Sequence, residues 1–406
     1  MTAAQSVIFV NRFFAPDQSA TSRMLSDLAF HLAGRGMNVS VVASRGLYDD
    51  PDARLAPVET IRGVAVHRTC APRFGRHSLP GRAFDCLAMY RSFAAAVARL
   101  ARPGDHVVVK TDPPMLSAAL APVARARGAR LVNWLQDLYP EVALGLGMRA
   151  LSPAAPLLRA ARDHSLACAV RNVAIGERMG ARLRALGLAE ERIEIIPNWC
   201  DDEAITPRAR RDNPLRRAWG LADTFVVGYS GNLGRAHDYL TVLDAAERLR
   251  GEADLLFLLI GGGRLARDLE AEVAARGLGA MFMFRPYQDE ALLPMSLALP
   301  DIHWISLRPA MEGLIVPSKF YGVAAAGRGV IAIGDPQGEL ASLIAENDCG
   351  AVVAEGDDRR LAEAILEYKR DAARAERIGA NARKLLDSRL ARRYALDRWE
   401  LLIQDT

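Results

Sequence analysis

The 406-residue chain twice runs through the same order of elements, a buried strand, a short loop and a helix followed by a second strand, once over residues 6–44 and again over 224–263. In the first half the apolar runs "SVIFV", "NVSVVAS", "HVVVKT" and "RLVNWL" read as strands separated by helical patterns, and in the second half "TFVVGYSGNLGRAHDYLTVLDAAERLRGEADLLFLLIGGG" repeats the scheme. Strands alternating with helices make βαβ units, and βαβ units make parallel sheets covered on both faces. Two such halves of about 200 residues exceed one ordinary core and predict an α/β chain of two Rossmann-like, doubly wound domains facing a cleft. The expected boundaries are 1–200 and 201–385, with a helical tail over 386–406 that packs back across the junction. The junction itself falls after Ile196-Pro197-Asn198, where "TPRARRDNPLRRAWG" reads as an exposed connection.

Two helices of the first half are legible. In "SRMLSDLAFHLAGRG", Met24, Leu25, Leu28 and Leu32 recur at helical spacing before a Gly34-Arg35-Gly36 stop, and "RAFDCLAMYRSFAAAVARLAR" sets Leu87, Tyr90, Phe93, Ala94 and Val97 on one arc. A final helical stretch runs over Glu376–Leu402. No apolar run reaches the roughly 18 residues a membrane span requires. The opening "MTAAQSVIFVNRFF" lacks the basic and long apolar segments of a secretory signal, so a cytoplasmic location is expected. The five cysteines, Cys70, Cys86, Cys168, Cys200 and Cys349, form no CxxC pair, which speaks against a disulfide framework and against a zinc site.

Charge is uneven. Residues 1–200 carry 25 Lys and Arg against 16 Asp and Glu, whereas residues 201–406 carry 27 against 32. The basic half either meets an anionic surface or substrate or simply decorates solvated helices. A dense basic tract with interleaved aromatics is absent, so nucleic acid is not an expected partner.

The stretch "EGLIVPSKFYGVAAAG" concentrates chemistry. Lysine is scarce, with Lys110, Lys319, Lys369 and Lys384 set against 48 arginines, and Lys319 stands in a Pro-Ser-Lys turn before a small-residue helix. A compact ammonium there suits a diphosphate, and Glu312 suits sugar hydroxyls; the alternative is a surface Glu312–Lys319 pair worth at most about 1 kcal/mol. "YSGNLGRAHDYL" places Gly231, Asn232, Gly234 and Arg235 between a strand and a helix, where backbone amides can approach a phosphate, and Gly261–Gly263 forms a second loop of the same kind; many βα turns look the same without any ligand. Neither loop supplies GxGxxG with an acidic residue about 20 positions on, which makes a dehydrogenase the least expected enzyme class. The Asp50–Asp52 "DPD" reads as turn chemistry, not as a metal site.

Taken in order, "GNLGR", "GGG", "DIHWISLRPAMEGLIVPSK" and "AAAGRGVIA" resemble the C-terminal half of the retaining glycosyltransferases of family 4, which have the two-domain GT-B fold. "FFAPDQSATSRMLSDLAFHLAGRGMNVSVV" and "RIEIIPNWCD" resemble their first half, closest to the bacterial O-antigen, capsule and exopolysaccharide branch that includes fucosamine transferases. The resemblance implies transfer of a hexosyl or N-acetylhexosaminyl group with retention from a UDP- or GDP-sugar, without a bound metal or other cofactor. The implied acceptor is a polyprenyl-diphosphate-linked saccharide reached at an anionic bilayer, where Arg73, Arg76, Arg82, Arg91 and Arg99 would dock. It places Arg235 and Lys319 on the donor diphosphate with Gly231, Asn232, Gly261 and Ser318 nearby, Glu312 and Gly313 on the donor sugar, and Arg285 and Tyr287 at the nucleobase. Asp17, Ser19, Lys110, Gln136, Asp137 and Glu141 would line the acceptor side, with Asp137 or Glu141 taking the acceptor proton; Asp137 reads equally as a helix cap beside Pro140.

Three positions depart from the family pattern. Gly322 stands where a second glutamate, a ribose ligand, is expected, Ser19-Ala20 replaces a double glycine, and Gln136 replaces a histidine near the sugar's C6, which would suit a 6-deoxy donor. These departures keep two further functions open: a nucleotide-sugar 2-epimerase and a sugar-nucleotide-binding protein without catalysis.

Overall fold

A computed structural model describes residues 6–50, 52–70 and 79–406, with backbone alone at 79, 80, 82 and 83. Arg73, Arg76, the Arg82 side chain and Pro51 of the "DPD" loop therefore lie outside the described residues. Contacts divide the chain into Met1–Pro197 with Ala395–Thr406, and Asn198–Tyr394. The first unit thus closes at Pro197 and is rejoined at Ala395, later than the tail expected from residue 386.

The first unit is built on β1 (Ser6–Val10), β2 (Asn38–Ser44), β3 (Val58–Ile61), β4 (Val64–Thr69), β5 (His106–Lys110), β6 (Arg130–Leu135), β7 (Arg171–Ala174) and β8 (Ile193–Ile195). These form one sheet in the order β3-β4-β2-β1-β5-β6-β7-β8, parallel throughout except for the β3–β4 hairpin. The central strands β1 and β5 are buried on both faces, which is what an unbroken Val/Ile/Phe run dictates, whereas edge strand β3 alternates between exposed and half-buried positions. The helix Leu79–Leu100 packs Met89, Phe93, Ala96 and Val97 against Val10, Val42 and Val109. Leu87, expected on that arc, is instead 55% exposed, because the buried face is rotated toward Met89 and Ala96.

In the second unit, β9 (Phe225–Asn232), β10 (Leu255–Gly262), β11 (Phe282–Arg285), β12 (Ile302–Ser306), β13 (Gly329–Gly334) and β14 (Gly350–Ala354) form an all-parallel sheet in the order β11-β10-β9-β12-β13-β14. Tyr229, Phe257, Trp304 and Ile331 fill its core beneath helices Leu240–Arg248 and Asp358–Arg370. The expected helix over 376–402 is two helices, Ala372–Leu385 and Arg392–Asp405; a π turn at Leu386–Leu390 and an extended Ala391 end the first.

Arg216 staples the start of this unit. Only 1% exposed, it donates to the carbonyls of Leu221, Leu299 and Thr224 and pairs with Asp301, which also accepts from Val226 N at the head of β9 and pairs with Arg210 at 3.5 Å. Removing one partner of a buried pair strands the other. Arg216→Ala is therefore expected to cost about 3–5 kcal/mol, read as a large drop in the midpoint of chemical unfolding.

Candidate functional site

In a doubly wound sheet, the crevice opens where neighbouring strands lead their connections to opposite sides. In the second unit that point lies between β9 and β12, and the residues following those two strands meet there. His237, on the loop after β9, sends Nδ1 to the carbonyl oxygen of Ser306 at the end of β12, at 2.5 Å. Ser306 Oγ accepts from Asp238 N at 3.0 Å and donates to Asp238 O at 2.7 Å, while Arg308 holds the carbonyls of Ala236 and His237 through its N and Nε. Asp238 then caps the helix Leu240–Arg248 by accepting from Leu240 N and Thr241 N.

Lys319 enters this crevice from the Pro-Ser-Lys turn. Its Nζ lies 3.1 Å from His237 Nε2 and 5.3 Å from the centre of the Tyr229 ring. A Cβ added to Gly231 would stand 3.3 Å from Lys319 Cε, so the glycine, at φ 116°, leaves the lysine stem its path. Gly261 on β10 is paired with Gly231 in register, and a Cβ there would overlap the Gly231 carbonyl. Among the described residues no carboxylate lies within ion-pairing distance of Lys319 Nζ. Burial pushes its pKa down to about 8. His237 is held down at about 3, by burial first and then by the Lys319 charge, with its bond to Ser306 opposing both.

The remaining donor-side residues spread along the same carboxyl edge. Arg235 is exposed on the loop after β9, and Asn232 is exposed as the last residue of that strand. Glu312 does not pair with Lys319: its Oε1 accepts from Glu339 N at 2.7 Å, at the start of the helix Glu339–Asn347, and Gly338 packs against its carboxylate. Gly313 is buried at φ 69°, a conformation that explains the glycine. Ser318 is exposed and precedes the helix Lys319–Ala325 without making a side-chain cap. A Cβ on Gly322 would point 3.2 Å from Leu297 Cδ1. A concavity of about 670 Å³ beyond β10 and β11 is lined by Gly261, Arg264, Arg267 and Arg285; Arg285 lies 5.1 Å from the Trp219 ring, and Tyr287 nearby is 61% exposed.

The first unit has its own crevice between β1 and β5, where Arg12 N bonds Asp112 O. Several of the expected acceptor-side residues are engaged here by the protein's own groups. Asp17 is buried and organises its own loop, accepting from Ser19 N and Oγ and from Tyr48 N, which occupies Ser19 as well. Lys110 is 1% exposed, with Nζ donating to Thr21 O and lying 3.9 Å from the Trp134 ring centre, so its amino group lies beneath the surface. Glu141 is bound by Arg159 and Arg162; burial, which alone would raise its pKa, is outweighed by these hydrogen bonds, and the carboxylate is held below its usual range. Gln136 N bonds Thr111 Oγ1.

Asp137 remains distinctive. The helix Glu141–Gly145 has no side-chain cap, so Asp137 is not one. Its Oδ1 is buried without a hydrogen-bond partner among the described residues, beside a cavity of about 30 Å³ lined by Lys110, Thr111 and Tyr139, room for about two waters. Burial pushes its pKa up to about 7; Asp112 adds to this, while Thr111 and Lys110 pull it down. His237 escaped the sequence reading. The one signal for it was "RAHD", an imidazole directly before a helix-capping Asp.

Residues 19–199 match the family described as Glycosyl transferase 4-like domain, and residues 213–385 match Glycosyl transferases group 1. The chain is 30% identical over 226 residues to WcaI of Escherichia coli (strain K12), named as a colanic acid biosynthesis glycosyl transferase, over 54% of this chain and 55% of that one. It is 26% identical over 302 residues to WbjE of Pseudomonas aeruginosa, named as a glycosyltransferase, over 73% and 74% of the two chains. The match thus spans about half the length of WcaI. Among solved structures, Anabaena HepE in complex with UDP-glucose superposes with a TM-score of 0.74 at 15% identity, covering 99% of this chain and 100% of that one. Sucrose-phosphate synthase from Thermosynechococcus elongatus gives 0.76 at 17%, covering 99% and 98%.

Proposed function

We propose, for a chain that belongs to the glycosyltransferases of GT-B architecture, transfer of a sugar from a UDP- or GDP-sugar to a lipid-linked saccharide, with retention and in polysaccharide assembly. The observation that carries this reading is the Lys319 ammonium, half-buried at the switch point of the second sheet with an imidazole and a phenol ring for company and, among the described residues, no carboxylate. A partly desolvated cation without a counter-ion is a site prepared for an anion. A donor diphosphate supplies it, and Arg235, exposed on the adjoining loop, supplies a second charge.

In the reaction the bond between C1 of the sugar and the β-phosphate oxygen breaks, its electron pair staying on the phosphate. The acceptor hydroxyl oxygen bonds to C1, and its proton passes to Asp137. Lys319 and Arg235 stabilise the phosphate charge as it grows, which lowers the barrier more than it favours the ground state. Glu312 and Gly313 contact the donor sugar, and Arg285 and Tyr287 flank the base. The relative named for colanic acid biosynthesis supports the polysaccharide setting, and the HepE structure with UDP-glucose supports the choice of donor class.

The deciding experiment is binding of a UDP- and GDP-sugar panel to the wild type and to Lys319→Ala. One donor should raise the wild-type melting temperature, and the variant should lose most of that rise. Equal binding by both removes the assignment.

Contact with an anionic bilayer belongs to the same reading. No helix among the described residues is long and apolar enough to cross a membrane. Phe84 and Leu87, 59% and 55% exposed on the helix Leu79–Leu100, share a face with the exposed Arg91. Anionic liposomes should float the protein at low salt and release it at high salt, and Phe84→Ser/Leu87→Ser should stay at the bottom of the gradient; flotation of that variant like wild type would assign the face to another purpose.

A further inference from the structure

We infer that His237 is the positioning residue for Lys319, a neutral acceptor that aims the ammonium into the crevice without cancelling its charge. The inference rests on the diphosphate reading above and names the device that makes that lysine effective.

The tautomer follows from the partners. A carbonyl oxygen can only accept, so Nδ1, 2.5 Å from Ser306 O, carries the proton and donates. Nε2 is left with its lone pair, and among the described residues its hydrogen-bond partner is Lys319 Nζ at 3.1 Å, a group with protons to give. The ring cannot turn away, because the loop carrying it is fixed to β12 through both polar atoms of Asp238's link to Ser306 and through Arg308. Burial keeps the imidazole neutral far below physiological pH.

Choice of an imidazole over a carboxylate has an electrostatic consequence. An Asp or Glu at this place would orient the ammonium equally well and neutralise it, leaving nothing for an incoming diphosphate. A neutral acceptor holds the same geometry and leaves the full unit charge to the ligand. Tyr229 acts in the same sense, since its ring face attracts the cation without carrying a charge.

Three substitutions separate the parts of this proposal, with UDP and GDP as probes, using whichever binds the wild type. His237→Gln places a neutral acceptor near the Nε2 position and should keep affinity within about threefold; His237→Leu removes the acceptor and should weaken binding about tenfold or more, as expected for losing a hydrogen bond to a charged group. His237→Glu keeps an acceptor but cancels the charge, and should weaken binding at least as much as His237→Leu. Lys319→Ala serves as the reference: if it loses binding while His237→Leu does not, the inference falls and the diphosphate site stands. If Lys319→Ala binds like wild type, or neither nucleotide binds the wild type, the site reading falls and takes the inference with it. Should the Leu and Glu variants fail to fold, the imidazole 15N resonances of the wild type decide: an unprotonated Nε2 whose signal moves in Lys319→Ala supports the contact, and a protonated Nε2 overturns it.

Discussion

Asp137→Asn should lower the rate of sugar transfer by about 10²–10⁴-fold while leaving nucleotide binding unchanged. The side chain keeps its shape but can no longer take the acceptor proton, and the donor site lies in the other unit. In the wild type the carboxyl is pushed up to about 7, so the competent, deprotonated form is lost as pH falls, and the rate should rise with pH through about 7. Stability should move the opposite way. Above a pH near 3.8 the unfolded chain gives up this proton while the folded chain retains it until about 7, so the unfolded state binds fewer protons and wild-type stability falls as pH rises across that window. An asparagine carries no such cost. The variant should therefore melt higher than wild type at pH 8, with the advantage shrinking toward pH 4. An Asp137→Asn enzyme that turns over normally would reduce this carboxyl to a buried acid of no catalytic use.

Lys319→Ala should reduce kcat/KM by about 10²–10³-fold, the scale of losing one preorganised group from the place where charge develops. Its pH signature distinguishes it from general damage. Burial lowers the ammonium to about 8 in the free protein, and a bound diphosphate restores a higher value. Below about 8 the lysine is charged in both states and binding moves no proton. Above it, binding must take one up, so affinity should weaken by up to about tenfold per pH unit. Calorimetry at pH 9 in buffers of different ionisation enthalpy reads that proton directly. Wild type should show uptake and Lys319→Ala should not; a wild type with no proton uptake would place the diphosphate elsewhere.

What could be read from the chain, and what could not, follows the range of the interactions. Strand and helix periodicity is local, and the central strands β1, β2, β5, β6, β9 and β10 stand where their apolar runs place them. The break at Ala391 was hidden because Arg, Leu and Ala continue a helical pattern straight through it. Lys319 announced itself by rarity and by its turn. His237 did not, since its meaning depends on Ser306 and on Lys319, far along the chain, and a histidine in "RAHD" is indistinguishable from a solvated one until β12 lies beside β9. The ion pairs of Glu141 were hidden for the same reason: the Arg159 and Arg162 that engage it lie 18 and 21 residues on, and nothing adjacent to "YPE" foretells them.

The helix Arg392–Asp405 makes the first unit discontinuous in sequence. Trp399 is fully buried with its ring 4.7 Å from Trp134, Glu400 reaches His31 and Arg35, Arg398 pairs with Glu194, and Thr406 meets His106. During synthesis on the ribosome, residues 6–197 therefore emerge long before the segment that completes their core. Trp134 must wait, uncovered, through the translation of the entire second unit. A nascent chain of this kind has reason to need chaperone cover for that interval, and a premature stop near codon 394 would leave the first unit unfinished while the second could still fold.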